Sequence, residues 1–129
     1  MPRRLALLAV LALSCSSAAE RPDAAYRAFA RAVAERDAER AWGLLSADTR
    51  AWLDARARAT AAAAPGVVPP NGRQLLLGDG SVAPRALAEV VVLREARDLA
   101  VVKASEEGGA EREVELVRER GWRVRIPPP

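Results

Sequence analysis

The 129-residue sequence predicts one α+β domain, with about three N-terminal helices packed on a curved antiparallel sheet of about four strands. Three observations carry this expectation. Apolar residues across 22–62 recur at helical spacing, those across 87–126 fall in short Val-rich runs, and a Pro- and Gly-rich stretch, 65–84, separates the two periods. Composition agrees, because a chain that is half hydrophobic and 29% charged fills a core, while its length leaves no room for a second catalytic module.

Pro22 suits the first turn of a helix, where its missing N–H would have no partner, and Asp23 favours the positive end of the helix dipole. Tyr26, Phe29, Ala30 and Val33 then recur at i, i+3, i+4 and i+7 and form an apolar stripe. Asp37 caps a second short helix whose apolar side is Ala41, Trp42, Leu44 and Leu45. Ser46 opens a third that carries Trp52 and Leu53, its hydroxyl accepting from the backbone N–H of Asp48 or Thr49. Pro65-Gly66 and Pro69-Pro70-Asn71-Gly72 stop that helix, so 65–84 reads as a long loop with room for one short element around Leu75-Leu76-Leu77. Loops of such length in small domains are often functional.

Strands are expected over 87–94, 99–105, 111–118 and 122–126, an antiparallel meander joined by short polar turns. The last alternates, with Trp122, Val124 and Ile126 on one face and Arg123 and Arg125 on the other, and the prolines of 127–129 end it. Val90-Val91-Val92-Leu93 and Leu99-Ala100-Val101-Val102 place hydrophobic groups on both faces of their strands, whereas the helices cover only one.

Ahead of the domain, Arg3 and Arg4 precede an unbroken apolar run over 5–13. Nine helical residues rise only about 14 Å, too short for a bilayer core of ~30 Å but right for the apolar region of an export signal. The run closes on Ala12-Leu13-Ser14-Cys15, which resembles the lipobox of bacterial lipoproteins, with Ala12 where Leu is favoured. That resemblance implies a signal peptide of residues 1–14, a lipidated Cys15 followed by a short tether to residue 21, a domain over 22–126 and a Pro tail. With Ser16 rather than Asp after Cys15, it also implies an outer-membrane destination in the cell envelope, facing the periplasm or exposed at the surface. Ser17-Ala18-Ala19 offers an alternative small-x-small cleavage site that would release a soluble periplasmic domain beginning after Ala19.

Charge narrows the partners. Without Arg3 and Arg4 the 20 basic residues become 18, against 17 acidic, and the two signs interleave along the chain. Nucleic acid, which needs clustered cations, is not an expected partner. The arginines read first as solvated helix and strand faces.

Ala24-Ala25-Tyr26-Arg27-Ala28-Phe29, then Ala41-Trp42-Gly43-Leu44-Leu45-Ser46 leading to Thr49-Arg50, and the closing Gly121-Trp122-Arg123-Val124 give the domain a resemblance to the nuclear-transport-factor-2-like superfamily of cone-shaped domains, and to its small bacterial lipoprotein members. The resemblance implies a curved sheet enclosing a pocket, here near Tyr26, Trp42 and Trp52. It also implies an open sheet face that pairs with a second copy or an envelope protein, unless Leu75-Leu76-Leu77 folds over it. Enzymes of that superfamily place an acid or His base and a Tyr or acid donor in the cone. With no His in the chain, Tyr26, Asp48, Asp54 and Glu89 are the only candidates, and each has a structural role that explains it. Lys103 and Ser105 share a strand face but read as a strand end meeting solvent. Glu106, Glu107, Glu111, Glu113 and Glu115 read as a turn and a strand face rather than metal ligands, and Gly108-Gly109 leads into a strand rather than a phosphate-binding helix.

No catalytic residue, metal site or cofactor is therefore assigned. The expectation is a membrane-anchored envelope lipoprotein with a non-enzymatic domain that binds a protein partner or a small apolar ligand. The competing reading is a cone-pocket acid/base enzyme, isomerase- or dehydratase-like, acting on a small apolar substrate.

Overall fold

The computed structural model describes residues 20–67, 70–78 and 86–128, so the expected signal peptide, Cys15 and most of its tether lie outside the described residues. Four helices, α1 (Pro22–Ala34), α2 (Ala38–Gly43), α3 (Ala47–Ala63) and α4 (Gly72–Leu77), precede four strands, β1 (Leu87–Glu95), β2 (Leu99–Glu106), β3 (Glu111–Arg118) and β4 (Trp122–Arg125). Local chemistry sets the helix starts. Pro22 occupies the first turn of α1, the Asp37 side chain accepts from Arg40 N, that of Ser46 from Thr49 N, and that of Asn71 from Gln74 N.

The strands form one antiparallel sheet in sequential order. Its inner face, carrying Val90, Ala100, Val102, Ala104, Leu116, Trp122 and Val124, packs against Ala25 and Tyr26 of α1 and against Trp42, Leu45 and Leu53. Small Ala100 and Ala104 let the helix layer come close to β2, and both are buried. The buried side of α1 centres on Ala25, Tyr26 and Ala32 with Phe29 half-buried, rotated from the expected stripe, because Asp23 is also buried there. Asp23 accepts from Arg27 at 2.6 Å, and Arg27 donates on to the Val90 carbonyl at 3.0 Å, fastening α1 to β1.

The α+β character agrees with the sequence, and two expectations are corrected. The described residues form four helices rather than about three. The sheet is flat and open rather than curved into a cone, so the nuclear-transport-factor-2-like resemblance fails as a description of the fold. The residues that suggested it, Tyr26, Trp42, Leu45 and Trp122 among them, fill a solid helix-on-sheet core rather than the wall of a cone. A final strand of four residues beside a β3 of eight also gives the sheet nothing with which to wrap round its helices.

The Leu75-Leu76-Leu77 segment does not cover the outer face of the sheet. It forms α4, which packs on α2 and α3. Gly72 is required at that junction, because its N–H donates to Asp54 Oδ1 at 2.8 Å and a Cβ there would sit 2.7 Å from Trp42 Cη2. The outer face keeps Val91, Leu93 and Leu99 about two-fifths exposed.

Candidate functional site

Beyond the end of β4, β3 continues without a neighbour, since the two pair only from Glu115–Arg125 to Arg118–Trp122 while β3 pairs with β2 as far as Ser105–Glu111. The vacated space is a groove of about 460 Å³. Tyr26 and Phe29 of α1, Val114, Val124 and Ile126 give it an apolar lining, and Arg112, Glu113, Glu115 and Arg125 bring charge to its margin. A second groove of similar size, about 470 Å³, runs between α1 and β1 past Ala30, Ala34 and Leu87.

Pairing with β3 stops at Arg125 because the next residue whose main chain would address β3 is Pro127, which has no N–H. Thr49 Oγ1 accepts from Ile126 N at 2.9 Å and donates to the Ile126 carbonyl at 3.3 Å, which fastens the backbone after β4 to α3 on the side away from β3. Just upstream, Val124 N donates to the Leu44 carbonyl at 2.7 Å and Ser46 N to the Val124 carbonyl at 2.9 Å, which closes the free edge of β4 with residues 44–46.

Among the described residues, most charged groups around the groove are engaged with one another, but Glu113 is not. Glu106, whose side chain is only one-tenth exposed, pairs with Arg112, and Arg125 bridges Asp48 at 2.9 Å and Glu115 at 2.8 Å. Burial pushes the Tyr26 hydroxyl above its ordinary pKa; the nearby Arg112 charge opposes this and Glu106 reinforces it. Tyr26 therefore keeps its proton at neutral pH and serves the groove as a hydrogen-bonding group on an aromatic wall.

The structure does not assemble the candidate acid/base residues. Asp48 accepts from Ser46 Oγ at 2.5 Å and Thr49 N at 2.9 Å, Asp54 accepts from Gly72 N, and Glu89 is exposed opposite Ser105. Nor do Tyr26, Trp42 and Trp52 share a pocket. Tyr26 lines the groove, Trp42 lies under Arg73 with the guanidinium 5.1 Å from the ring, and Trp52 lies beside Arg56 at 5.7 Å. Lys103 sits 3.8 Å from Glu111, and among the described residues no group of three or more Cys, Asp or Glu side chains is placed to hold a metal ion. Sequence reasoning missed the open edge of β3 and the Thr49 clasp. The available signal was Pro127, which ends β4 while β3 still has strand to pair.

Two carboxylates give the domain a defined acid response. The hydrogen bond from Ser46 outweighs partial burial and holds Asp48 below the usual carboxylate range, helped by Thr49 N and Arg125. For Asp23, burial acts to raise the pKa, but the Arg27 hydrogen bond and the charges of Arg21 and Arg27 prevail and lower it. Carboxylates with depressed folded-state values contribute stability that is complete above the unfolded value of about 3.9 and is lost as pH falls through the folded value. Urea midpoints are accordingly expected to hold from pH 7 to 5 and fall below about pH 4, with a shallower fall in Asp23→Asn; an unchanged slope in that variant would remove Asp23 from the explanation.

Compared with protein-family models, curated proteins and solved structures, the chain matches none.

Proposed function

We propose that the chain is an exported lipoprotein, held at the bacterial cell envelope by acylated Cys15, whose domain binds a partner rather than catalysing a reaction. One observation carries the anchor: two arginines and a nine-residue apolar run lead directly onto Ser14-Cys15. Two or more acyl chains on one Cys give stable anchoring at about 0.8 kcal/mol per buried methylene, and need no spanning helix. No described helix is long and apolar enough to cross a membrane. A tether of residues 16–21 reaches at most ~20 Å, which keeps the domain close to the lipid surface. Binding rather than catalysis is supported by Asp48 and Asp54, which hold a helix terminus, Arg125 and a glycine N–H, while Glu113 and Glu115 reach the groove only at its margin.

The test is metabolic labelling with a fatty-acid probe. Wild-type chain is expected to take up label and sediment with membranes, and Cys15→Ala to lose the label and most of the sedimentation. Absence of label on the wild type would overturn the proposal, and release of a soluble chain beginning at Glu20 would favour cleavage after Ala19.

A further inference from the structure

We infer that the open edge of β3 accepts an extended peptide segment of a partner as an added strand, one whose side chains alternate basic and apolar. This rests on the reading of the domain as a binding module, and it supplies the partner's chemistry.

The backbone defines the edge. Arg118 N donates to the Asp98 carbonyl at 3.0 Å on the β2 side, and Glu119 N donates to the Gly121 carbonyl at 2.8 Å on the β4 side. In an antiparallel ladder the main-chain groups of alternate residues address opposite neighbours. The even-numbered residues of β3 thus address β2, and Glu111 and Glu113 turn their N–H and C=O groups toward the position β4 has left. β4 cannot grow into it, because the next residue whose main chain would address Glu113 is Pro127, which has no N–H. The other edges are less inviting. Residues 44–46 occupy that of β4, while β1 is distorted between Leu87 and Glu89 and again between Val92 and Arg94, and Arg27 takes its Val90 carbonyl.

Charge selects the occupant. On the outer face β3 presents Glu111, Glu113 and Glu115 in a row; Glu115 is paired with Arg125, Glu111 only loosely with Lys103, and Glu113 has no ion pair among the described residues. On the inner face the same stretch carries Val114 and Arg112, the latter paired with Glu106, and borders the groove of Tyr26, Phe29 and Ile126. β4 shows what suits this strand, with Arg123 and Arg125 on the outer face and Trp122 and Val124 on the inner. A guest that continues the pattern sets basic side chains against Glu113 and Glu111 and an apolar one into the groove, with main-chain bonds to both glutamates. A second copy fits poorly. Antiparallel pairing of two such edges with their faces matched sets Glu113 opposite either Glu111 or Glu113 of the other copy, a like-charge contact in both registers.

The test titrates the full-length chain, purified in detergent, against a fluorescent acetylated peptide of alternating Arg and Val. Binding is expected, and a Glu-Val peptide or an Arg-Val peptide N-methylated at alternate residues, which keeps the charge but cannot pair as a strand, should bind at least about tenfold more weakly. The double variant Glu111→Lys, Glu113→Lys, whose changes are on exposed side chains, should reverse the preference toward the Glu-Val peptide. No binding of the Arg-Val peptide, equal binding of its N-methylated form, or indifference to the double variant would overturn the inference. So would a dimer in light scattering that Glu113→Pro dissociates, since the second copy would then be the occupant. Peptide binding and acylation of Cys15 are read independently, so failure of one leaves the other standing.

Discussion

Trp122→Ala is expected to remove about 3–5 kcal/mol of stability and lower the urea midpoint sharply, whereas Trp122→Phe costs far less. Trp122 has no exposed surface and is the largest fully buried side chain, at the start of the shortest strand. Truncating a buried Trp to Ala costs about 3–5 kcal/mol through lost transfer energy and an unfilled cavity. Small domains have a total stability of roughly 5–15 kcal/mol, so the loss takes a large share of it. The Ala variant also loses the ring over which the Arg118 guanidinium lies, 4.8 Å from its centroid. Phe keeps an aromatic face and removes the indole Nε1, a buried donor with no hydrogen-bond partner, so the net cost stays below about 1.5 kcal/mol. Urea titration followed by circular dichroism checks both, and similar midpoints for the Ala variant and the wild type would contradict the assignment of Trp122 to the centre of the core.

Thr49→Val is expected to cost about 2–3 kcal/mol although it preserves shape. The hydroxyl accepts from Ile126 N and donates to the Ile126 carbonyl, with Thr49 only 1% exposed. Valine leaves the Ile126 N–H and carbonyl short of a partner in a part-buried place, which costs more than the bonds themselves contribute. Thr49→Ser keeps the oxygen and should recover most of the loss. The same urea midpoints decide it, and equal stability of the Val and Ser variants would show that the clasp contributes little. Because this hydroxyl fastens Ile126, which lines the groove, the Val variant also links the stability of the domain to the shape of the groove.

Elements whose signals are local are legible in the amino-acid sequence. Asp37 and Ser46 cap their helices with their own side chains, and the alternation of Trp122, Arg123, Val124 and Arg125 sets two faces within four residues. Features that are not legible there depend on contacts distant along the chain. α4 needs Asn71 as its cap and Asp54, 18 residues earlier, to receive Gly72 N. The flatness of the sheet follows from pairing between distant segments and the length of β4, and the groove exists because an eight-residue strand is paired with a four-residue one. Tyr26 and the tryptophans suggested a cone because aromatic residues at helical spacing serve any helix-on-sheet core equally well. Asp23 illustrates the same limit, since its place in the first turn implied only a favourable dipole whereas in the fold it is buried and orients Arg27 onto β1.

The most direct test of the anchored-domain proposal is the intact mass of the chain purified from membranes, with its first residue sequenced. Lipoprotein processing leaves Cys15 as the N-terminus and adds the mass of its acyl chains. An unmodified chain that retains Met1, or one that begins at Glu20, would contradict the anchor.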